Sequence, residues 1–113
     1  MAYDELVKRC IDLCQQCETA CLICADACLN EKDIDMLRDC IKTDLECAEI
    51  CGVTARILAL NGDFQKDIVR LCQQLCEACA EECEKHAGHG MEHCEACAKA
   101  CRACAEACKK LVA

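Results

Sequence analysis

Proline is absent from the 113-residue chain, glycine occurs four times, and the only aromatic residues are Tyr3 and Phe64. Proline is the residue that most strongly interrupts helices, and Ala, Leu, Glu, Lys and Gln, which are common here, favour them. A core built on aromatic rings is excluded, although small domains normally bury Phe together with Leu, Ile and Val. The commonest candidate for the interior is instead cysteine, at 18 positions.

Signals for export and for membrane insertion are also missing. Residues 1–6 contain no basic segment followed by an apolar stretch and a cleavage site, and charges recur every few residues along the chain. We therefore expect a cytoplasmic protein, in which thiols stay reduced and a dense cysteine pattern indicates metal or redox chemistry. The net charge of −8 provides no basic surface, so we expect neither nucleic acid nor a membrane as partner.

Three breaks divide the chain into four helical segments. Cap residues precede Ile34, Asn61-Gly62-Asp63 combines a C-terminal glycine with an N-cap aspartate, and residues 86–90 are glycine-rich. We predict helices over residues 4–29, 34–60, 64–86 and 91–111, within one domain spanning residues 1–113. Long helices joined by short loops predict an all-α, antiparallel up-down-up-down four-helix bundle.

The cysteines recur in each segment at alternating steps that are mostly of three and four residues. This spacing places side chains on the inward face of a bundle helix, so the four stripes predict a core lined with thiols. The predicted metal ligands are Cys10, Cys14, Cys17, Cys21, Cys24, Cys28, Cys40, Cys47, Cys51, Cys72, Cys76, Cys79, Cys83, Cys94, Cys97, Cys101, Cys104 and Cys108.

The two ends of the predicted bundle differ in character. At one end, the floor, the stripes continue into mainly apolar residues: Tyr3, Val7, Thr54, Leu58, Ile68 and Leu111. At the other end, the mouth, the third stripe reaches His86, and Asp44 lies on the second stripe about one turn inside; both are further candidate ligands. Nearby residues that we predict to assist metal uptake are His89, His93, Met91 and Met36.

The stripes contain eight Cys-x-x-x-Cys pairs: Cys10/Cys14, Cys17/Cys21, Cys24/Cys28, Cys47/Cys51, Cys72/Cys76, Cys79/Cys83, Cys97/Cys101 and Cys104/Cys108. Helical residues four apart have Cβ atoms about 5–6 Å apart, whereas a disulfide requires about 3.8 Å. A two-coordinate metal ion needs about 4.5 Å between its sulfurs, so a metal suits these pairs better.

Charge selects the metal among soft ions. One Cu(I) per bridging thiolate leaves the core neutral, whereas each Zn(II) with four thiolates carries two negative charges into a dry interior. We predict binding of multiple Cu(I) ions, about nine for unshared pairs and approaching about 18 if every thiolate bridges two ions.

Other interpretations remain at this point. The first is a general zinc or soft-metal buffer, the second a redox-responsive structural protein cross-linked by disulfides, and the third a bundle with an inert cysteine core. The Cys-x-x-Cys spacings follow automatically from the alternating stripe and do not indicate a thioredoxin-like enzyme. Because no catalytic triad, phosphate loop or carboxylate pair is evident, we predict that the chain is not an enzyme.

The chain resembles the bacterial copper storage proteins in segments such as Cys17-Glu-Thr-Ala-Cys21-Leu-Ile-Cys24 and Cys97-Ala-Lys-Ala-Cys101-Arg-Ala-Cys104. With 18 cysteines and no export signal, it is more similar to the cytosolic branch of that family. The resemblance implies a bundle filled with Cu(I) ions that are coordinated largely by the Cys-x-x-x-Cys pairs, loaded through a histidine-bearing open end, and assembled as a homotetramer. It also implies that the 18 cysteines, then His86 and Asp44, are ligands. Apolar residues on the second helix outside the cysteine stripe agree with partner helices: Ile41, Leu45, Val53, Ile57 and Leu60.

Overall fold

The structure is a computed structural model that describes residues 1–112. Its helices are α1 (Tyr3–Leu29), α2 (Arg38–Ala59), α3 (Gln65–Ala87) and α4 (Glu92–Val112), and a 3-10 turn, Ile34–Leu37, precedes α2. The all-α expectation is confirmed. Acidic residues open the helices and basic residues close α2, α3 and α4, an arrangement that the helix dipoles favour.

Each helix packs against two others, so that the four form a square bundle. Helix α1 contacts α2 and α4, and α3 contacts the same two helices. The short connections make sequential neighbours antiparallel, and the bundle measures 45 × 21 × 17 Å. Within residues 1–112, no helix is long and apolar enough to cross a membrane.

The start of the second helix differs from the prediction. Residues 34–37 form a 3-10 turn rather than the first turn of an α-helix. The tighter turn advances each residue by about 120° instead of 100°, and it directs Leu37 into the core, where its side chain is fully buried. Met36, which we expected to point into the mouth, is 45 % exposed.

The end of α2 uses a different residue from the one predicted. Asn61, not Gly62, takes the left-handed conformation, with φ of 51°. Asparagine tolerates this region better than most residues because its short polar side chain can bond locally. Here Asn61 Oδ1 accepts a hydrogen bond from Gln65 Nε2 at 2.9 Å, which links the turn to the first residue of α3.

The core consists mainly of cysteine. All 18 cysteine side chains are fully buried, and seven of the other buried residues are alanines. Small alanines beside the stripes allow the helices to approach closely, so the sulfurs of opposite helices meet along the bundle axis.

The floor differs by one residue from the prediction. Val69 is 2 % exposed and packs in the core in place of Ile68, which is only partly buried. The step before Cys72 is therefore three residues and not four. Leu58 and Leu111 are buried as expected, while Tyr3 is 54 % exposed and lies at the rim of the floor.

Candidate metal centre

Sulfur atoms of facing helices lie close together from the floor to the mouth. Helix α1 pairs with α4 and α2 with α3, because antiparallel stripes bring opposite ends of the sequence to the same level. The Sγ–Sγ distances are 3.8 Å for Cys10–Cys108, 3.5 Å for Cys14–Cys104, 3.7 Å for Cys17–Cys101, 3.9 Å for Cys24–Cys94, 3.7 Å for Cys40–Cys83, 3.7 Å for Cys47–Cys76 and 3.9 Å for Cys51–Cys72.

Sulfurs within the Cys-x-x-x-Cys pairs are closer than a two-coordinate ion requires. Five of the eight pairs place their Sγ atoms 3.9–4.0 Å apart. With metal–sulfur bonds of about 2.3 Å, linear coordination needs about 4.6 Å and trigonal coordination about 4.0 Å. The metal-free spacing equals the trigonal value, and a two-coordinate ion would require the paired sulfurs to separate by about a further 0.6–0.7 Å.

Groups of four ligand atoms lie within 4.8 Å of one another at several levels of the core. One group is Cys17, Cys47, Cys51 and Cys76, and another is Cys17, Cys21, Cys47 and Cys101. Cys17 and Cys47 belong to both groups, and Cys21 and Cys101 recur in a third with Cys79 and Cys97. A thiolate sulfur has lone pairs for more than one metal ion, so shared sulfurs are suited to bridging neighbouring ions.

Asp44 lies inside the sulfur column, below the mouth. Its side chain is fully buried, and its Oδ1 accepts hydrogen bonds from the thiols of Cys79 at 3.2 Å, Cys97 at 3.3 Å and Cys83 at 3.5 Å. Burial, reinforced by nearby cysteines, raises the pKa of Asp44 to about 12. Asp44 therefore lies among the thiols, where the sequence predicted it. Its carboxyl group is neutral at ordinary pH.

Two of the thiols at the mouth, those of Cys28 and Cys94, hold their protons. Burial raises the pKa of Cys28 and of Cys94, because a thiolate in an apolar surrounding loses its hydration. Metal ions bind the thiolate and not the thiol. Filling these two positions must therefore release protons.

His93 is the histidine that the structure brings to the thiols. Its Nδ1 lies 3.5 Å from the sulfur of Cys94, 3.6 Å from that of Cys24 and 3.9 Å from that of Cys28. These four residues form a further group of ligand atoms within 4.8 Å. Burial opposes charging of the ring, but Cys24 and Glu31 outweigh it and raise the pKa of His93.

His86, which the stripe favoured over His93, is buried next to Glu82. Its Nε2 lies 2.9 Å from Glu82 Oε2, within hydrogen-bond distance, and its Nδ1 is buried with no hydrogen-bond partner among the described residues. His89 is exposed in the turn after α3, and Met91 is partly buried against the core. The mouth is therefore formed by His86, His93 and Leu37, with His89 and Met36 outside it.

Three residues of the mouth were not identified from the sequence. Glu82 precedes His86 by four residues, a spacing at which helical side chains meet, so this contact was recognisable. Glu31 contacts His93 across 62 residues of chain, and no local pattern indicates that pair. Leu37 was hidden by the unexpected 3-10 turn.

The donor set is almost entirely sulfur, with one imidazole nitrogen at the mouth and one carboxyl in the column. Soft thiolates select Cu(I), Zn(II) or iron–sulfur clusters over hard cations. Because neighbouring groups share sulfurs, the column is suited to a chain of linked ions and not to one isolated centre.

Comparison with known proteins agrees with this chemistry. A family model described as copper storage protein matches residues 3–113. The cysteine-rich protein YhjQ of Bacillus subtilis is 41 % identical over 92 residues, which are 81 % of this chain and 82 % of that protein.

Two similar solved structures contain copper. A cytosolic copper storage protein from Streptomyces lividans, solved during copper loading with five coppers, is 41 % identical, with a TM-score of 0.92 over 97 % of this chain and 94 % of that one. The Cu(I)-bound copper storage protein BsCsp3 is 42 % identical, with a TM-score of 0.88 over 99 % of this chain and 100 % of that one.

Proposed function

The chain belongs to the copper storage protein family, and from this membership we propose that it stores many Cu(I) ions on the thiolates of its core. Storage of copper follows from the family. The proposal concerns how this chain performs it: which residues bind, how the ions are linked, and from which end they are loaded. All 113 residues are proposed to act as one storage unit.

The sharing of sulfurs between neighbouring four-ligand groups is the observation that carries the proposal. If each thiolate bridges two ions, the number of ions approaches the number of thiolates, and the core stays neutral as it fills. We propose all 18 cysteines as ligands, with three sulfurs around an ion where the pairs are 3.9–4.0 Å apart. Asp44 is proposed as an oxygen ligand or hydrogen-bond partner of the ions near Cys79 and Cys97.

Copper is proposed to be loaded at the mouth. Buried Leu58, Val69 and Leu111 close the floor with apolar side chains, which offer no ligand to an approaching ion. At the mouth, His93 lies next to Cys24, Cys28 and Cys94 and is only partly buried. A borderline nitrogen donor at the outer end of a sulfur column allows an ion to pass from the solvent to thiolates in steps.

The remaining elements of the proposal concern the cellular setting. We propose that the chain works in the cytosol as a store and not as an enzyme, with copper ions and copies of itself as partners and without nucleic acid. Exposed apolar residues of α1 and α2, including Leu22, Ile23 and Leu45, support contact with other copies. A homotetramer is proposed, and its mass in analytical ultracentrifugation would test it.

A zinc store is the second candidate, because four sulfurs within 4.8 Å also match tetrahedral zinc. Adjacent zinc sites that share few sulfurs would accumulate negative charge in a buried column, and this cost favours Cu(I). The disulfide-stapled alternative is less suited to the Cys-x-x-x-Cys pairs, since Cβ atoms four residues apart on a helix are about 5–6 Å apart, whereas a disulfide requires about 3.8 Å.

Competition between the two metals tests the choice. The reduced, metal-free protein is equilibrated with equal free concentrations of Cu(I) and Zn(II) set by chelators, and bound metal is measured by mass spectrometry. We expect copper to fill the core and zinc to be nearly excluded. Equal or greater loading by zinc would contradict the proposal and favour a general metal buffer.

A further inference from the structure

We infer that Glu31 and Glu82 are positioning residues that hold His93 and His86 with the ring proton on Nε2, which leaves both Nδ1 atoms free to receive a soft metal ion at the mouth. The inference deepens the proposed function and rests on it for the identity of the ion. The placement of the ring protons, however, is a property of the metal-free protein and can be tested without copper.

The contact between Glu31 and His93 fixes the first ring. Glu31 Oε1 lies 3.3 Å from His93 Nε2, and an ionised carboxylate can only accept a hydrogen bond, so Nε2 must carry the proton. In the neutral ring, Nδ1 then holds the lone pair. That atom lies 3.5–3.9 Å from the sulfurs of Cys94, Cys24 and Cys28.

The distances around His93 Nδ1 match a shared metal ion. With bonds of about 2.0 Å to nitrogen and about 2.3 Å to sulfur, trigonal coordination separates the two donor atoms by about 3.7 Å. The observed Nδ1–Sγ distances of 3.5, 3.6 and 3.9 Å bracket this value. An ion could therefore be accepted with little movement of the ring, provided that Nδ1 carries no proton.

The contact between Glu82 and His86 repeats the arrangement on another helix. His86 Nε2 donates to Glu82 Oε2 at 2.9 Å, and the side chains of His86 and Glu82 are only 8 % and 15 % exposed. Lys85 Nζ lies 3.2 Å from the other oxygen of Glu82, so both carboxylate oxygens have a nitrogen partner. His86 Nδ1 is buried without a hydrogen-bond partner among the described residues.

An unpartnered buried nitrogen is costly, since it has lost water and gained nothing. The cost is removed when Nδ1 binds a metal ion. Metal-binding histidines usually donate their other ring N–H to a carboxylate, and loss of such a carboxylate typically lowers metal affinity or activity by about 10–100-fold. Two histidines on different helices, each held through Nε2 by a glutamate, meet this description at the same end of the bundle.

The test begins with the metal-free, reduced protein. Two-dimensional ¹⁵N NMR at alkaline pH, where the rings are neutral, identifies the protonated nitrogen of each histidine. We expect His86 and His93 to show protonated Nε2 and unprotonated Nδ1, and the Glu31→Ala and Glu82→Ala variants to lose the hydrogen-bonded Nε2–H resonance of their own histidine. A protonated Nδ1 on either ring of the unmodified protein would overturn the inference.

Loading kinetics then test the consequence of that placement. Transfer of Cu(I) from a coloured chelator, followed by stopped flow, should slow about tenfold or more in Glu31→Ala and Glu82→Ala. The Glu31→Gln and Glu82→Gln variants should recover much of the rate, because the amide oxygen still accepts the Nε2–H bond. Asp33→Ala and Glu81→Ala remove exposed acidic side chains of the first loop and of α3 and control for lost negative charge.

The outcomes separate the inference from the proposed function. Alanine variants that load as fast as the unmodified protein, or controls that slow equally, would overturn the positioning role even if the core stores copper. An unmodified protein that takes up only one or two ions would instead refute the storage proposal, whatever the NMR result for the ring protons.

Discussion

Replacing Asp44 with asparagine should stabilise the metal-free bundle, and the gain should grow as the pH rises from about 4 to 7. Burial raises the pKa of Asp44 to about 12 in the folded protein, whereas an unfolded aspartate titrates near about 3.9. At any pH between these two pKa values, Asp44 is ionised in the unfolded chain but keeps its proton in the folded chain. The favourable contribution of Asp44 is complete below the unfolded pKa and is lost as the pH rises towards the folded pKa.

The size of the effect follows from this proton. One bound proton in the folded state lowers the free energy of unfolding by about 1.4 kcal/mol for each pH unit. Over the roughly three units from about pH 4 to 7, the loss approaches about 4 kcal/mol. The asparagine side chain of the variant has nearly the same shape and does not titrate, so the difference between variant and unmodified protein isolates this term.

Urea unfolding followed by circular dichroism provides the assay. Reduced, metal-free protein is compared with Asp44→Asn at several pH values between about 4 and 7. Asp12→Asn, on the exposed face of α1, is the matched control and should run parallel to the unmodified protein. If the stabilities of Asp44→Asn and the unmodified protein also run parallel across this range, the raised pKa and the argument from burial are wrong.

Three further predictions concern the thiols. Cys17→Ala removes a sulfur shared by two four-ligand groups and should lower the copper capacity by about two ions in native mass spectrometry; unchanged capacity would contradict bridging. Because all 18 cysteines are fully buried, a bulky thiol reagent should label the native reduced protein at least about a hundredfold more slowly than the unfolded protein; rapid native labelling of several thiols would contradict the packed core. The raised pKa values of Cys28 and Cys94 mean that loading releases protons. For each proton released, the copper affinity measured in chelator competition should fall about tenfold when the pH is lowered by one unit. A pH-independent affinity would show that these thiols are already ionised.

The sequence predicted the bundle and its chemistry because one pattern carried both. Alternating steps of three and four residues place every cysteine on an inward face, and the prediction of a cysteine-lined four-helix copper store is confirmed by the family and by the similar structures. The roles of individual ligands stay predictions.

The errors lie where the pattern ends. Outside the cysteines of a stripe, the pattern does not show whether the next inward step is three or four residues. Ile68, four residues before Cys72, was therefore predicted in place of Val69, three residues before it. The 3-10 turn changed the angle per residue and exchanged Met36 for Leu37. Helix spacing fixes Cβ positions but not side-chain rotamers, so the Sγ separation of 3.9–4.0 Å within the metal-free pairs was not predictable from the sequence.

Contacts between distant parts of the chain were beyond sequence reasoning. His93 meets both Cys24 and Glu31, and their proximity depends on how the first loop lies over the start of α4. His93 directly precedes Cys94 and so lies off the cysteine stripe of α4, whereas His86 continues the stripe of α3, so the periodic pattern favoured His86. Only the folded arrangement shows that His93 is the ring next to the thiols.

The most direct test of the storage function is a titration of the reduced, metal-free chain with Cu(I) against a competing chelator that reports free copper. We predict that between about nine and 18 ions bind tightly before free copper rises, with the helical circular dichroism spectrum unchanged from start to finish. Saturation at one or two ions per chain would contradict the function proposed here.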